Sequence, residues 1–320
     1  MLNFFEEIRD DLAYIEAELK KTIAGFGGKI SDAAAHLFAA GGKRLRPAFS
    51  LFSGHFGRYE LTKVAPLAVA LELIHMATLV HDDIVDGASI RRGRSTVQAL
   101  WGNQVAIRTG DSLFAKAIEN VSGYADPLVS RQLAATCMKV CAGELAQAEA
   151  CFSPRQTLRG YFGRIRSKTA VLIAAACELG AVVCGAPRLV SRALGQYGLA
   201  VGMAFQVVDD VLDIIADERV LGKAIGGDIR EGIATLPVLY VLRRSGQRQR
   251  LREIICAQEK DEREIGEAIT IVKEEGGVSY SLEVAGRFVG KARNALRTLP
   301  DIPTRRHLDA IAEFVVARKF

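Results

Sequence analysis

The sequence predicts an all-α protein, a single domain of roughly ten or more helices packed as a bundle. Three observations carry this expectation. Apolar residues return every three or four positions along most of the 320 residues. Alternating apolar and polar runs of strand length are absent. No Ser/Gly-rich linker interrupts a chain with only eight prolines, so residues 1–320 read as one domain.

In chain order, residues 4–25 bring Phe5, Ile8, Leu12, Ile15, Leu19 and Ile23 onto one helix face. The same period runs through 64–86, 97–122, 129–152, 159–184, 189–216 and 232–244. The stretch 259–298 is more polar, with charge pairs suited to exposed helix faces. The central segments are apolar nearly all round, which is the pattern of helices buried inside a bundle.

With 49% hydrophobic and 25% charged residues, the chain is too apolar and too evenly charged to be disordered. A mean hydropathy of +0.15 raises the membrane question. The longest apolar run, 170–177, stops at Glu178, well short of the ~18–20 residues that span a bilayer. Residues 64–80 carry Glu72 and His75. No membrane span is expected, and peripheral membrane contact at most. Residues 1–11 are acidic early and show no basic segment ahead of a cleavage site, so a cytoplasmic location is expected. The six cysteines form no CxxC pair and read as reduced thiols. A net charge of +5 is too diffuse to argue for nucleic acid.

The most informative feature is an internal echo. An apolar helix runs into Asp82-Asp83-Ile84-Val85-Asp86 and then a Gly- and Arg-rich loop. Much later another runs into Asp209-Asp210-Val211-Leu212-Asp213 and then a loop with Lys223. On a helix, i and i+4 lie one above the other, with i+1 about 100° around, so each triplet projects from one region. Like charges at that spacing destabilise a helix, and Asp is a poor helix former. One such cluster could simply cap or solvate a helix end. Two with identical spacing, each beside a basic loop, argue for cations. Hard oxygen donors without neighbouring His or Cys favour Mg²⁺, which binds one or two carboxylates together with substrate phosphates. The basic residues supply the complement: Gly41-Gly42-Lys43-Arg44-Leu45-Arg46-Pro47, Arg91-Arg92-Gly93-Arg94, Lys168-Thr169 and Lys223. Singly each is a solvated patch; together with two Mg²⁺ sites they describe a place for one or two diphosphates.

These pieces, with Glu72-Leu73-Ile74-His75, Gly110-Asp111, Gly143-Glu144, Gly202-x-x-Phe205-Gln206 and Gly226-x-Asp228, occur in an order that resembles the trans-isoprenyl (polyprenyl) diphosphate synthases. The resemblance covers about residues 39–242. It is nearest to the catalytic subunit of bacterial heptaprenyl diphosphate synthases, through residues 164–170 and the terminal Ala317-Arg318-Lys319-Phe320. It implies a helical bundle around a deep central cavity, and head-to-tail addition of isopentenyl diphosphate to an allylic diphosphate such as farnesyl diphosphate. It implies two or three Mg²⁺ ions on Asp82, Asp83, Asp86, Asp209, Asp210 and Asp213. Arg91, Lys168 and Lys223 are expected at the allylic diphosphate, and Lys43, Arg46, His75 and Arg92 at isopentenyl diphosphate. Thr169 and Gln206 are expected near the reacting carbons. Either a homodimer or a heterodimer with a small non-catalytic subunit is implied, with a product feeding a quinone side chain.

Two departures stand out. The family's usual Gly-Lys-x-Thr after the second cluster is Gly232-Ile233-Ala234-Thr235 here, and a usual proline is Ala224. The first removes a diphosphate-binding cation. Chain length follows from sterics: the growing tail is expected to pass Thr78, Ala77 and then Ile74, and the small residues at 77 and 78 place its floor deep. A product of about thirty to forty carbons, best about thirty-five, is expected on that steric ground. The shorter geranylgeranyl or farnesyl product is the alternative. A class I terpene cyclase is disfavoured by the second aspartate cluster and by Lys43 and Arg46. A non-catalytic subunit would have lost its aspartates, and a di-metal carboxylate protein needs paired Glu-x-x-His ligands that are absent.

Overall fold

The computed structural model describes residues 5–91, 93–216 and 225–317. These are overwhelmingly helical, as the periodicity predicts. They form two compact units, and each is assembled from separated stretches of chain. Their described residues fall within 1–138, 172–198 and 295–311 for one, and within 139–171, 199–294 and 312–320 for the other. A single domain was the expectation. Long helices such as Pro127–Ala150 and Arg188–Ile215 carry the chain from one unit to the next without a linker, so the units leave no boundary in composition.

The first unit begins with α1 (Arg9–Ala24), α2 (Gly28–Ala39), α3 (Leu45–Gly54) and α4 (Leu61–Val85). The two-residue strands β1 (Ile90–Arg91) and β2 (Arg94–Ser95) follow, then α5 (Val97–Trp101) and α6 (Asn103–Ser122). Helix α4 buries residues around its whole circumference, from Val64 to Asp83, because nearly every side chain is Ala, Leu, Val, Ile or Met. It is long and apolar enough to cross a membrane, despite Glu72 and His75, but 72% of its most apolar window is buried within the fold. It packs most extensively on α6. There the His81 ring covers Gly110, where an added Cβ would lie 2.1 Å from Nε2. His81 also lies 3.6 Å from Asp111 Oδ1 and 5.8 Å from the Phe114 ring. Its place is thus in the α4–α6 packing.

Gly110→Ala should therefore push the end of α4, and with it Asp82 and Asp83, off α6. An activity loss of about tenfold or more with ~1–3 kcal/mol of destabilisation is expected. Adding His81→Ala should restore most of both. Equal activity for Gly110→Ala and the native chain, read by steady-state kinetics, would refute the packing argument.

The second unit contains α8 (Leu158–Ile165), a π-helical turn at Arg166–Ala170, α11 (Gly227–Arg230), α12 (Leu236–Arg244), α13 (Arg248–Cys256) and α14 (Glu262–Glu274). The helices α7 (Pro127–Ala150), α9 (Val171–Val183), α10 (Arg188–Ile215), α15 (Gly277–Leu296) and α16 (Pro303–Ala317) complete the order. Three expected segments are interrupted. Residues 97–122 break at Gly102, whose φ of 80° leaves the helical region. Residues 159–184 contain the π turn, and 259–298 break at Gly276, also at positive φ. The strands, at two residues each, are too short to leave an alternation in the sequence.

Candidate active site

The first aspartate cluster ends α4. Asp83 is 1% exposed, and Arg91 Nε donates to its Oδ1 at 2.6 Å. Burial pushes the Asp83 carboxyl up from its ordinary value, and the Arg91 guanidinium works against that shift. Asp82 is half-buried and Asp86 exposed. The short hairpin aims Arg91 back at the helix end, with Ile90 opposite Ser95 and Arg91 opposite Arg94. Thr96 anchors the hairpin base: its hydroxyl donates to Ala88 O at 2.7 Å and accepts from Ala99 N–H, capping α5.

The basic loop before α3 divides its cations. Arg44 adopts a left-handed conformation (φ 46°) at the N-cap of α3. It donates to Glu72 Oε1 at 2.8 Å and Glu16 Oε1 at 3.2 Å and stacks 4.3 Å from the Phe38 centroid. Arg44 is therefore a structural tether for the loop. Lys43 is exposed, and Arg46 is half-buried in the first turn of α3. His75 is half-buried on α4. Arg92 and Lys223 lie outside the described residues.

The second cluster, at the end of α10, is built into a hydrogen-bonded chain. Thr169 Oγ1 donates to Gln206 Oε1 at 2.7 Å, and Gln206 Nε2 donates to Asp210 Oδ1 at 3.0 Å. On the other side the fully buried Tyr161 hydroxyl donates to Asp210 Oδ2 at 2.6 Å. Burial drives the Asp210 carboxyl up to about 7, against the pull of the Tyr161 and Gln206 hydrogen bonds. Asp209, one residue away, adds to the rise by like-charge repulsion and is itself half-buried. Asp213 turns to a different partner. Its Oδ2 accepts from Asp228 N–H at 3.1 Å and its carbonyl from Gly226 N–H at 2.7 Å, which fixes the returning chain.

Lys168 and Thr169 owe their positions to the π turn. A Cβ on Gly143 would lie 2.9 Å from Lys168 N, and one on Gly202 would lie 2.6 Å from Ala170 Cα. Two glycines thus let α7 and α10 close on the turn, a local geometry that often marks a functional site. Lys168 Nζ donates to Glu144 Oε2 at 2.6 Å, next to Gly143 in sequence. Ile233, where a lysine is usual in the family, is buried.

Among the described residues no three acidic, His or Cys side chains converge to hold an ion by themselves. In one unit Asp82 and Asp86, and in the other Asp209, nevertheless present hard oxygen donors with part of their surface open. Taken separately, the donors of each cluster fit a divalent cation that completes its shell with phosphate oxygens and water.

Residues 28–272 match the family model for polyprenyl synthetases. The chain belongs to the polyprenyl synthetase family. It is 41% identical to heptaprenyl diphosphate synthase component 2 of Bacillus subtilis, over 98% of this chain and 89% of that one. Its structure is similar to heptaprenyl diphosphate synthase of Staphylococcus aureus, with a TM-score of 0.91, 35% identity, and 97% and 98% of the two chains covered. A polyprenyl synthase of Caulobacter crescentus, solved with calcium and isoprenyl diphosphate, gives a TM-score of 0.93 at 34% identity, covering 98% and 97%.

For a prenyltransferase of this family, the sequence pattern alone missed Tyr161 and the tether role of Arg44. Tyr161 reads as one more apolar residue on the 159–184 face. Its signal is the buried hydroxyl, which needs a partner and finds it 49 residues along the chain. Of the three expected pocket residues, Ile74 and Ala77 are enclosed at 0% exposure, while Thr78 is half-buried and donates to His75 O at 2.8 Å.

Proposed function

We propose that this polyprenyl synthetase adds isopentenyl diphosphate units, head to tail, to an allylic diphosphate such as farnesyl diphosphate. The product is a medium-chain polyprenyl diphosphate, best about thirty-five carbons on the steric reading of α4, for a quinone side chain. One observation carries the chemistry. Each of two helix ends holds one buried carboxylate on a dedicated donor, Asp83 on Arg91 and Asp210 on Tyr161, and leaves neighbouring aspartates partly open. That arrangement suits a pair of cation-dependent diphosphate sites.

Asp82, Asp83, Asp86, Asp209, Asp210 and Asp213 would hold Mg²⁺, which would supply charge neutralisation of the departing diphosphate. Arg91 and Lys168, each tethered by a carboxylate in this structure, add positive charge at the leaving oxygen. The allylic C–O bond breaks with its electron pair leaving on diphosphate. The double bond of isopentenyl diphosphate then forms the new C–C bond, and the proton it loses goes to the released diphosphate. Thr169 and Gln206 orient the α10 carboxylates beside the reacting carbons. Apolar helices such as α4 exclude the water that would quench an allylic cation. Lys43, Arg46 and His75 are assigned to isopentenyl diphosphate.

The name component 2 marks the Bacillus relative as one part of a larger enzyme. We extend that to a heterodimer with a small non-catalytic subunit, with a homodimer as the alternative, in the cytoplasm. The test is to incubate the purified chain alone with Mg²⁺, farnesyl diphosphate and isopentenyl diphosphate, and to size the dephosphorylated product. The expected product has about thirty to forty carbons on the same steric ground, and chelation with EDTA abolishes it. A folded chain that turns over only with a second component establishes the heterodimer. Turnover that survives chelation refutes the metal assignment.

The enclosure of Ile74 and Ala77 favours a second reading, a shorter geranylgeranyl-class product. The size of the native product separates the two, and phenylalanine substitutions test the path of the tail. Thr78→Phe and Ala77→Phe should each shorten the main product by at least about one five-carbon unit, because a ring there closes the path along α4. A product no shorter than the native one in both variants would show that the tail does not pass these residues.

A further inference from the structure

The second unit carries a cleft that the aspartate chemistry does not use. It measures about 440 Å³ and lies between the segment preceding α8 and the helices α12 and α13. That volume is within the ~300–1,000 Å³ typical of small-molecule sites. None of the six aspartates lines it, and neither does any glutamate. Its apolar wall is Leu158, Leu239, Leu242 and Ile255, and its charged groups are Arg159, Arg243 and Arg252.

The state of those arginines is the decisive observation. Three neighbouring arginines are committed. Arg250 grips Glu267 through two nitrogens at 2.8 and 2.7 Å, and Arg230 does the same to Glu262. Arg244 stacks 5.4 Å from the Tyr240 ring centroid. The side chains of Arg159, Arg243 and Arg252, all exposed, make no ion pair or hydrogen bond to any described residue. Three uncompensated guanidinium groups around one concavity repel each other unless an anion joins them. The guanidinium fork suits phosphate oxygens in particular. An inorganic anion alone would leave the half-buried Leu158 and Leu242 in contact with water, so the complementary ligand has an apolar chain attached.

We propose that this cleft binds a phosphorylated amphiphile, its phosphate or diphosphate on Arg159, Arg243 and Arg252 and its chain along Leu158, Leu239, Leu242 and Ile255. It is a second site for the ligand class of the proposed reaction, and in naming a prenyl diphosphate it rests on that functional reading. The same chemistry is offered by a free prenyl diphosphate and by the headgroup of an anionic phospholipid. The inner wall also contains Gln156 and Ala234. Gln156 donates to Gly232 O and accepts from Ala234 N–H, both at 2.8 Å, so an occupant touches the clamp on the segment after the second aspartate cluster.

Cys256 lines the cleft and provides a local reporter, with the exposed Cys141, which does not line it, as internal control. The full chain with Mg²⁺ is treated with N-ethylmaleimide, and modification of each cysteine is followed by peptide mass spectrometry. The added probe is farnesyl diphosphate, inorganic diphosphate, or phosphatidylglycerol vesicles. Farnesyl diphosphate is expected to slow Cys256 modification and leave Cys141 unchanged. The triple variant Arg159→Gln/Arg243→Gln/Arg252→Gln should need at least about tenfold more ligand for the same protection. Arg243→Glu alone provides a second, milder variant with the same direction.

Protection by phosphatidylglycerol vesicles, with co-flotation of the chain, but not by farnesyl diphosphate assigns the site to a lipid headgroup. The reverse assigns it to the free diphosphate. The proposal is overturned if neither protects, if inorganic diphosphate protects as well as farnesyl diphosphate, or if the arginine variants are protected like the native chain. Elongation is measured separately: a chain that makes no polyprenyl product yet shows this protection refutes the functional reading and leaves the cleft assignment standing.

Discussion

Asp210→Asn is expected to lower kcat by about 10²–10³ while the chain remains folded. The substitution keeps the volume of a side chain that is almost wholly buried, and removes the charge. It also turns an amide N–H₂ toward one of two donors, the Tyr161 hydroxyl or the Gln206 amide, each of which needs an acceptor. Tyr161→Phe tests the same carboxylate more gently. Its hydroxyl holds the Asp210 carboxyl below where burial alone would set it. Without the hydroxyl the carboxyl rises above about 7, and a smaller fraction is ionised at neutral pH. The acid limb of kcat should therefore move to higher pH, with a loss of about tenfold or more near pH 7 that shrinks in alkali. An unshifted limb would show that Tyr161 does not act through Asp210.

The same rise has a stability consequence. A carboxyl whose folded value lies above its unfolded one binds more protons in the folded state between the two. Stability from this group is complete below the ordinary carboxylate range and is lost as pH climbs toward about 7. Between pH 5 and 8 the Asp210→Asn variant should lose less melting temperature than the native chain. An identical slope would contradict the assignment.

Arg44→Ala is the substitution expected to cost most in stability. The Arg44 and Glu72 side chains are 10% and 4% exposed, and their contact is 2.8 Å. Removing the guanidinium leaves a buried carboxylate without its cation, a change that costs about 3–5 kcal/mol and lowers the melting temperature by ~6–10 °C. Arg44→Met/Glu72→Leu should recover most of that, because a buried pair replaced by apolar groups of similar volume is close to neutral. Activity should not recover fully in the double variant. The tether also sets the left-handed turn that places Lys43 and Arg46 at the start of α3. Full activity in the double variant would show that the loop needs no such anchor.

Much of the site was legible because its information is local. Asp82 and Asp86, or Asp209 and Asp213, share a helix face through the rise and turn of the helix itself. The expected helices 64–86 and 189–216 differ from α4 and α10 by a few residues at the ends. The π turn was not legible. Residues 159–184 keep an unbroken apolar period, and the close packing on the turn is allowed by Gly143 and Gly202, which are distant in sequence. Nor was Asp213 separable from Asp210 by spacing, since only the return of the chain at Gly226–Asp228 gives it a partner. The two units leave no mark in composition for a related reason. Long helices cross from one to the other, and a helix interior looks the same on either side of a boundary.

By itself the sequence determined the all-α class, the two aspartate clusters at the ends of apolar helices, and the ordered basic motifs that identify a polyprenyl synthetase. All of these rest on the identities and spacings of near neighbours. Only the tertiary structure decided what each charge is for. Arg44 meets Glu72 across 28 residues, Tyr161 meets Asp210 across 49, and Arg164 reaches Ala234 O across 70. Arg159, Arg243 and Arg252 meet around a cleft with no carboxylate lining it. A buried charge or hydroxyl must be satisfied by whichever group packing brings beside it, and that choice is made by the folded core rather than by distance along the chain.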